Sequence, residues 1–188
     1  MMKKMMAAFL VLIILTSNIV LADTPQASVE NDSANTMVKI GLMKGYSNGD
    51  LGLDRKITRA EFATIIIRML GYDKKPFTPS TNISFKDLNK KHWAYSSVRM
   101  AASLGYIKGY SDKAFKPSNN ITYAEAIAIM VRVLGYSGDV KGKWPDNFID
   151  KGEELGILKN LEVESGSQIT RGAVSILVVN SLPVKVKK

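Results

Sequence analysis

Gly41-Leu42-Met43-Lys44-Gly45-Tyr46-Ser47 and Gly105-Tyr106-Ile107-Lys108-Gly109-Tyr110-Ser111 open two stretches that align without a gap at a shift of 64 residues. From Gly41 to Tyr72 and from Gly105 to Tyr136, 14 of 32 positions are identical. After a connector the shared frame continues with Ile-Thr-x-Ala-Glu, at Ile57 and at Ile121, and then an apolar run that closes on Leu-Gly-Tyr. A weaker third copy follows: Leu155-Gly156-Ile157-Leu158-Lys159, then Ile169-Thr170-Arg171-Gly172 and the run Ala173 to Leu182. Thr58, Thr122 and Thr170 are thus spaced by 64 and then 48 residues. A repeat of this size is one supersecondary unit that buries its apolar face against its neighbours, and terminal copies are often atypical.

Outward from those motifs the chain reads as helices. Thr58-Arg59-Ala60-Glu61 and Thr122-Tyr123-Ala124-Glu125 are capping boxes, in which the threonine oxygen accepts from the third helical amide and the glutamate accepts from the cap's own amide. They predict helices over 59–70 and 124–134, stopped by Gly71 and Gly135. Thr170 caps a third helix that Pro183 ends, and there Ala173 leaves only half a box. All three runs are apolar nearly all round, which predicts burial in a central three-helix bundle. Shorter front helices are expected around it: one ending at Gly41, one from about 91 to 104, and one from Trp144-Pro145-Asp146 to about 155. Phe85-Lys86-Asp87 reads as a short extended lead-in to the second of these.

At the N-terminus, Lys3 and Lys4 precede an apolar stretch from Ala7 to Leu15, and small residues lead to Ala22. This is the pattern of a secretory signal peptide cleaved after Ala22. A spanning helix needs roughly 20 apolar residues, which no later stretch offers, so the mature chain is expected not to span a membrane. The chain has no cysteine. A disulfide framework, a thiol nucleophile, a lipid-modified cysteine and any Cys-ligated metal are therefore excluded, and the fold must rest on apolar packing. The formal charge of +9, two units of it in the signal peptide, favours anionic partners. For an exported chain these are wall polymers, acidic glycans or membrane surfaces, not nucleic acid. The expected segments are a signal peptide at 1–22, a flexible leader at 23–33, a first repeat with a truncated front at 34–76, a second at 77–138, a divergent third at 139–184, and a solvated basic tail at 185–188.

Together these residues resemble the S-layer homology family, the wall-anchoring repeat of bacterial surface proteins. The second copy carries the fullest pattern: Phe85-x-Asp87, His92-Trp93-Ala94, Leu104 to Tyr110, Phe115-x-Pro117 and Ile121-Thr122-x-Ala124-Glu125. The first copy keeps Ile57-Thr58-Arg59-Ala60-Glu61. The resemblance implies an all-α fold of three repeats in a pseudo-threefold prism. It also implies a secreted location at the cell wall or surface layer, and grooves that hold an anionic secondary cell wall polymer or peptidoglycan-linked glycan, in many members a pyruvylated one. Signature arginines and nearby tryptophans are implicated in binding. A ketal-linked pyruvate presents a carboxylate that a guanidinium can grip through two parallel hydrogen bonds.

Arg59 and Arg171 stand at first helical positions, where a cation meets the positive end of the helix dipole and calls for a partner, either the polymer or an internal acid. Trp93 and Trp144 either anchor a front helix to the core or line a groove. Lys44 and Lys108 recur in register, as solvated side chains or as charge recruiters. Gly45 and Gly109 are expected to hold a backbone conformation closed to other residues, with ligand contact through their amides secondary. Thr58, Glu61, Thr122, Glu125 and Thr170 read as caps. His92, the one histidine, reads as a contact at a helix start. The connector Asn48 to Asp54 lacks the twelve-residue calcium spacing and reads as a turn. No cofactor, metal or catalytic residue is expected. Tyr123 stands where the second copy should carry arginine, so the grooves are expected to be unequal. The competing reading is a lattice or protein-interaction component that acts without glycan, through other surface proteins.

Overall fold

The computed structural model describes residues 25–74 and 83–187. Among them are six α-helices and one turn of 3-10 helix: α1 (Pro25–Lys39), α2 (Arg59–Met69), α3 (Tyr95–Ser103), α4 (Tyr123–Val133), the short turn Ser137–Asp139, α5 (Asp146–Glu154) and α6 (Arg171–Ser181). No helix among the described residues is long and apolar enough to cross a membrane. The expected signal peptide lies outside the described residues, as does the expected boundary between the first two repeats.

Local chemistry sets the helix ends. Thr58 and Thr122 each accept from the third helical amide while Glu61 and Glu125 accept from the cap amides, so both capping boxes form; Thr170 caps α6 alone. Helices α1 to α5 all finish with the same pair of bonds onto a glycine: Leu42 to Met37 and Gly41 to Val38 at α1, and Tyr136 to Val131 and Gly135 to Arg132 at α4. Those glycines take φ between +69° and +85°, the left-handed cap that costs glycine no steric penalty.

The expected all-helical fold is present, and it closes on itself. Each front helix packs mainly on the long helix of the preceding repeat: α3 on α2, α5 on α4, and α1 on α6. The last of these pairings joins the first repeat to the third. A backbone ring repeats the same order, with Ile57 donating to Ile169, Ile169 to Ile121, and Ile121 to Ile57, at 3.0 to 3.1 Å. All three isoleucines are fully buried. Around that ring the first two amides of each long helix are satisfied by the next repeat's connector: Arg59 and Ala60 by the carbonyls of Asn119 and Pro117, Tyr123 and Ala124 by Ser167 and Ser165, Arg171 and Gly172 by Arg55 and Leu53. The long helices bury nearly every apolar side chain, including Phe62, Ile66, Ile127, Met130, Val174 and Leu177.

Four expectations need correction. The leader at 23–33 is helical from Pro25 onward, so the front helix expected to end at Gly41 starts earlier and is longer than its siblings. Its polar composition hides it because it buries only a narrow stripe of Ser33, Ala34 and Met37. The basic tail is docked: Lys187 donates its amide to Leu134 and its ammonium to Asp139 at 2.7 Å, and Lys185 accepts from the Tyr136 hydroxyl. Gly45 and Gly109 do not adopt positive φ. At Gly109 the reason for glycine is close approach, because a Cβ would run into the Phe85 ring and within 2.9 Å of the Ala114 carbonyl. Finally, Phe85-Lys86-Asp87 is a turn and forms no strand. Phe85 packs on Phe115 and Asp87 accepts from the Phe115 and Lys116 amides at 2.8 and 2.7 Å.

Candidate functional site

Arg59 and Arg171 meet their helix-dipole cost inside the protein. Arg59 is 4% exposed and reaches into the second repeat, donating from Nε to the Phe115 carbonyl and from Nη2 to the Lys108 carbonyl, both at 3.0 Å. Its Nη1 lies 3.4 Å from Glu125. Arg171, 6% exposed, does the same into the first repeat, with Leu51 and Lys44 carbonyls at 2.9 Å and Glu61 at 3.7 Å. Their guanidiniums lie over the rings of Tyr110 and Tyr46. Glu61 and Glu125 each serve twice, one oxygen on the cap amide and the other toward the neighbouring repeat's arginine. The arginines are struts between repeats, and an open cation has to be sought elsewhere.

Two grooves supply it. The first, of 280 Å³, is lined by Arg59, Ile107, Lys108, Gly109, Tyr110, Glu125, Ala128, Ile129, Arg132 and Trp144. The second, of 130 Å³, is lined by Leu42, Met43, Lys44, Glu61, Thr64, Ile65, Arg68, Trp93 and Arg171. At the 64-residue shift Lys108 matches Lys44, Glu125 matches Glu61, Ile129 matches Ile65 and Arg132 matches Arg68. The two sites are built alike, each from three repeats: an arginine from the one before, a long helix and connector from the middle one, and a tryptophan from the one after. Each holds three cations against one carboxylate. Trp93 and Trp144 are 64% and 53% exposed, so each presents much of its indole to the groove. Lys44 and Lys108 are exposed beside them. Gly109 lines the first groove; Gly45 packs against Asp50 and Leu51 and does not line the second.

The third face has lost this chemistry position by position. Tyr123 stands in for the arginine, Ala173 for the glutamate and Asn180 for the last-turn arginine. Asn180 donates to the carbonyls of Ile157 and Lys159, taking over bonds that Arg68 and Arg171 make to Leu42 and Lys44 in the second groove. The cleft around Tyr123 is lined by Glu162 and Glu164 against one cation, Lys56. Burial first, and then Glu30, Glu162 and Glu164, raise the Tyr123 phenol above its usual pKa. There carboxylates outnumber cations, the reverse of the two grooves.

A family model described as the S-layer homology domain matches residues 23–63 and 84–127. The chain belongs to the S-layer homology family. Its relatives include a surface layer protein of Brevibacillus choshinensis, 36% identical over 146 residues, 78% of this chain and 13% of that protein. A middle cell wall protein of Brevibacillus brevis is 34% identical over 166 residues, 87% of this chain and 16% of that one. A cellulosome-anchoring protein of Acetivibrio thermocellus is 29% identical over 136 residues, 65% of this chain and 30% of that one. The chain therefore spans less than a third of the length of these relatives. With the family comes a place at the cell surface, in association with the wall.

The first match begins at residue 23, so the S-layer homology pattern includes α1, in agreement with its helical structure. The third repeat lies beyond the matched residues, and it shares the isoleucine ring and a threonine cap with the other two. Arg68 and Arg132 were missed as groove residues by sequence reasoning. They are among the identical positions of the aligned copies, and that shared register was the available signal.

Proposed function

We propose that this S-layer homology chain is a non-catalytic wall-anchoring module that holds an anionic cell-wall glycan in the two grooves flanked by Trp144 and Trp93. The supporting observation is that Lys44, Lys108 and Arg132 face the grooves and, among the described residues, no carboxylate is paired to them, while each groove offers an exposed indole. A cation bound beside a flat apolar ring fits a sugar that carries a carboxylate: the charge meets the acid and the ring covers the sugar's apolar face. A charge-assisted hydrogen bond contributes about 1.5–3 kcal/mol, so one groove binds modestly. Two grooves on one wall surface gain by effective concentration. The third face, where carboxylates outnumber cations, takes no part.

The side chains to remove are the exposed ones, because Arg59 and Arg171 hold the repeats together. A quadruple variant, Lys44→Ala, Lys108→Ala, Trp93→Ala and Trp144→Ala, should keep the parent's helical circular dichroism and melting temperature yet lose co-sedimentation with purified wall sacculi. Undiminished sedimentation of that folded variant would overturn the proposal. Sacculi stripped of their secondary polymer by acid should fail to retain even the parent.

A further inference from the structure

We infer that the two grooves are unequal, and that the Trp144 groove is the principal carboxylate site because Arg132 lies over an aromatic ring there and, among the described residues, has no hydrogen-bond partner. This rests on the reading of the grooves as glycan sites. The grooves match residue for residue at the long helix but differ in what meets its last-turn arginine. Arg68 donates to the Leu42 carbonyl at 3.3 Å. Arg132 lies 5.0 Å over the face of Phe148 and, among the described residues, has no hydrogen-bond or carboxylate partner. Phe148 in turn meets Trp144 edge-on at 5.9 Å. Aligning Trp144 with Trp93 puts Ser97 at the position of Phe148, so the second groove has no equivalent ring.

A guanidinium held over an aromatic face by cation–π attraction spends none of its five N–H donors on that contact. Those donors grip a carboxylate through two parallel hydrogen bonds, and the sugar bearing it then comes to rest on Trp144. In the second groove the same carboxylate must compete with Leu42 for the arginine. Burial lowers the Arg132 pKa, in keeping with donors short of partners, and arginine remains charged nonetheless. The first groove is also the roomier, at 280 against 130 Å³.

The chain has two tryptophans, one per groove, so single-tryptophan variants report each site by its own emission. The probe is the methyl glycoside of a hexose carrying a pyruvate ketal, with its methyl ester as the uncharged control. In Trp93→Phe the Trp144 signal should titrate with a dissociation constant about tenfold below that of the Trp93 signal in Trp144→Phe, and the ester should lose that advantage. Phe148→Ser should bring the first groove to the level of the second, and Ser97→Phe should tighten the second. Arg132→Lys, which keeps the charge without the planar fork, should weaken the first groove similarly and covers the case in which Phe148→Ser disturbs α5. Equal constants in the two grooves would overturn the inequality and leave the proposed function standing. Silence from both tryptophans in folded protein would overturn both.

Discussion

At the scale of single residues, the signature arginine is a part of the architecture. Its guanidinium crosses from one repeat to the next and satisfies two carbonyls and a glutamate there. Arg59→Ala should leave the Lys108 and Phe115 carbonyls unmet and cost about 2–4 kcal/mol, read from the midpoint of urea unfolding; Arg59→Lys should recover little of this, since a point charge cannot span three acceptors. The cyclic order also joins two departures from the family pattern into one. Arg59 meets Glu125 and Arg171 meets Glu61, so position 123 corresponds to 173, and Tyr123 and Ala173 represent the loss of both members of one pair. Losing both avoids an unpaired buried charge. Tyr123→Arg and Ala173→Glu should each destabilise alone, and a double-mutant cycle should show favourable coupling of about 1–2 kcal/mol. Asp87 gives a pH signature. Burial pushes its carboxyl up, but the Phe115 and Lys116 amides outweigh that and hold it below its usual pKa. A carboxyl lowered in the folded state stabilises fully above its unfolded value, about 3.9, and loses that contribution as pH falls through the folded value. Between about pH 5 and pH 2, the melting temperature of Asp87→Asn should therefore fall less steeply than that of the parent.

At the scale of elements, capping chemistry made much of the structure legible. The threonines and glutamates fixed where α2, α4 and α6 begin, and the glycines fixed where all helices but α6 end. Thr122→Ala should cost about 1 kcal/mol in thermal or denaturant unfolding. What escaped notice was the N-terminal part of α1, because residues 25–33 bury only Ser33 and so carry almost no apolar pattern. The glycine at 109 escaped for another reason: its constraint is the Phe85 ring, which arrives from 24 positions earlier in the chain, and local spacing carries no trace of that approach. Gly109→Ala should cost about 1–3 kcal/mol, more than Gly45→Ala, whose nearest obstacle stands at 3.1 Å. The site was legible to the same degree. Recurrence picked out the lysines and tryptophans of both grooves, but it could not say that the arginines at 59 and 171 would find their partners within the chain.

At the scale of the whole molecule, the pairing of α1 with α6 distinguishes this fold from an open solenoid, in which each repeat leans only on its neighbours and a terminal repeat can be lost. Here every front helix depends on the repeat before it, and the first depends on the last. Heat should unfold the chain in one cooperative transition. A fragment of residues 25–140 has α1 but not α6, and it should show no cooperative melt by circular dichroism; a sharp transition in that fragment would contradict the closed architecture.

The triangle of Ile57, Ile121 and Ile169 has a consequence for how such proteins can change in number. Each corner gives one amide and takes one carbonyl, so no position is left to receive a fourth member. A gene that duplicated one copy would leave the newcomer without a seat, whereas duplicating the whole triad would make a second, self-sufficient body. Descendants of this arrangement should therefore multiply by threes.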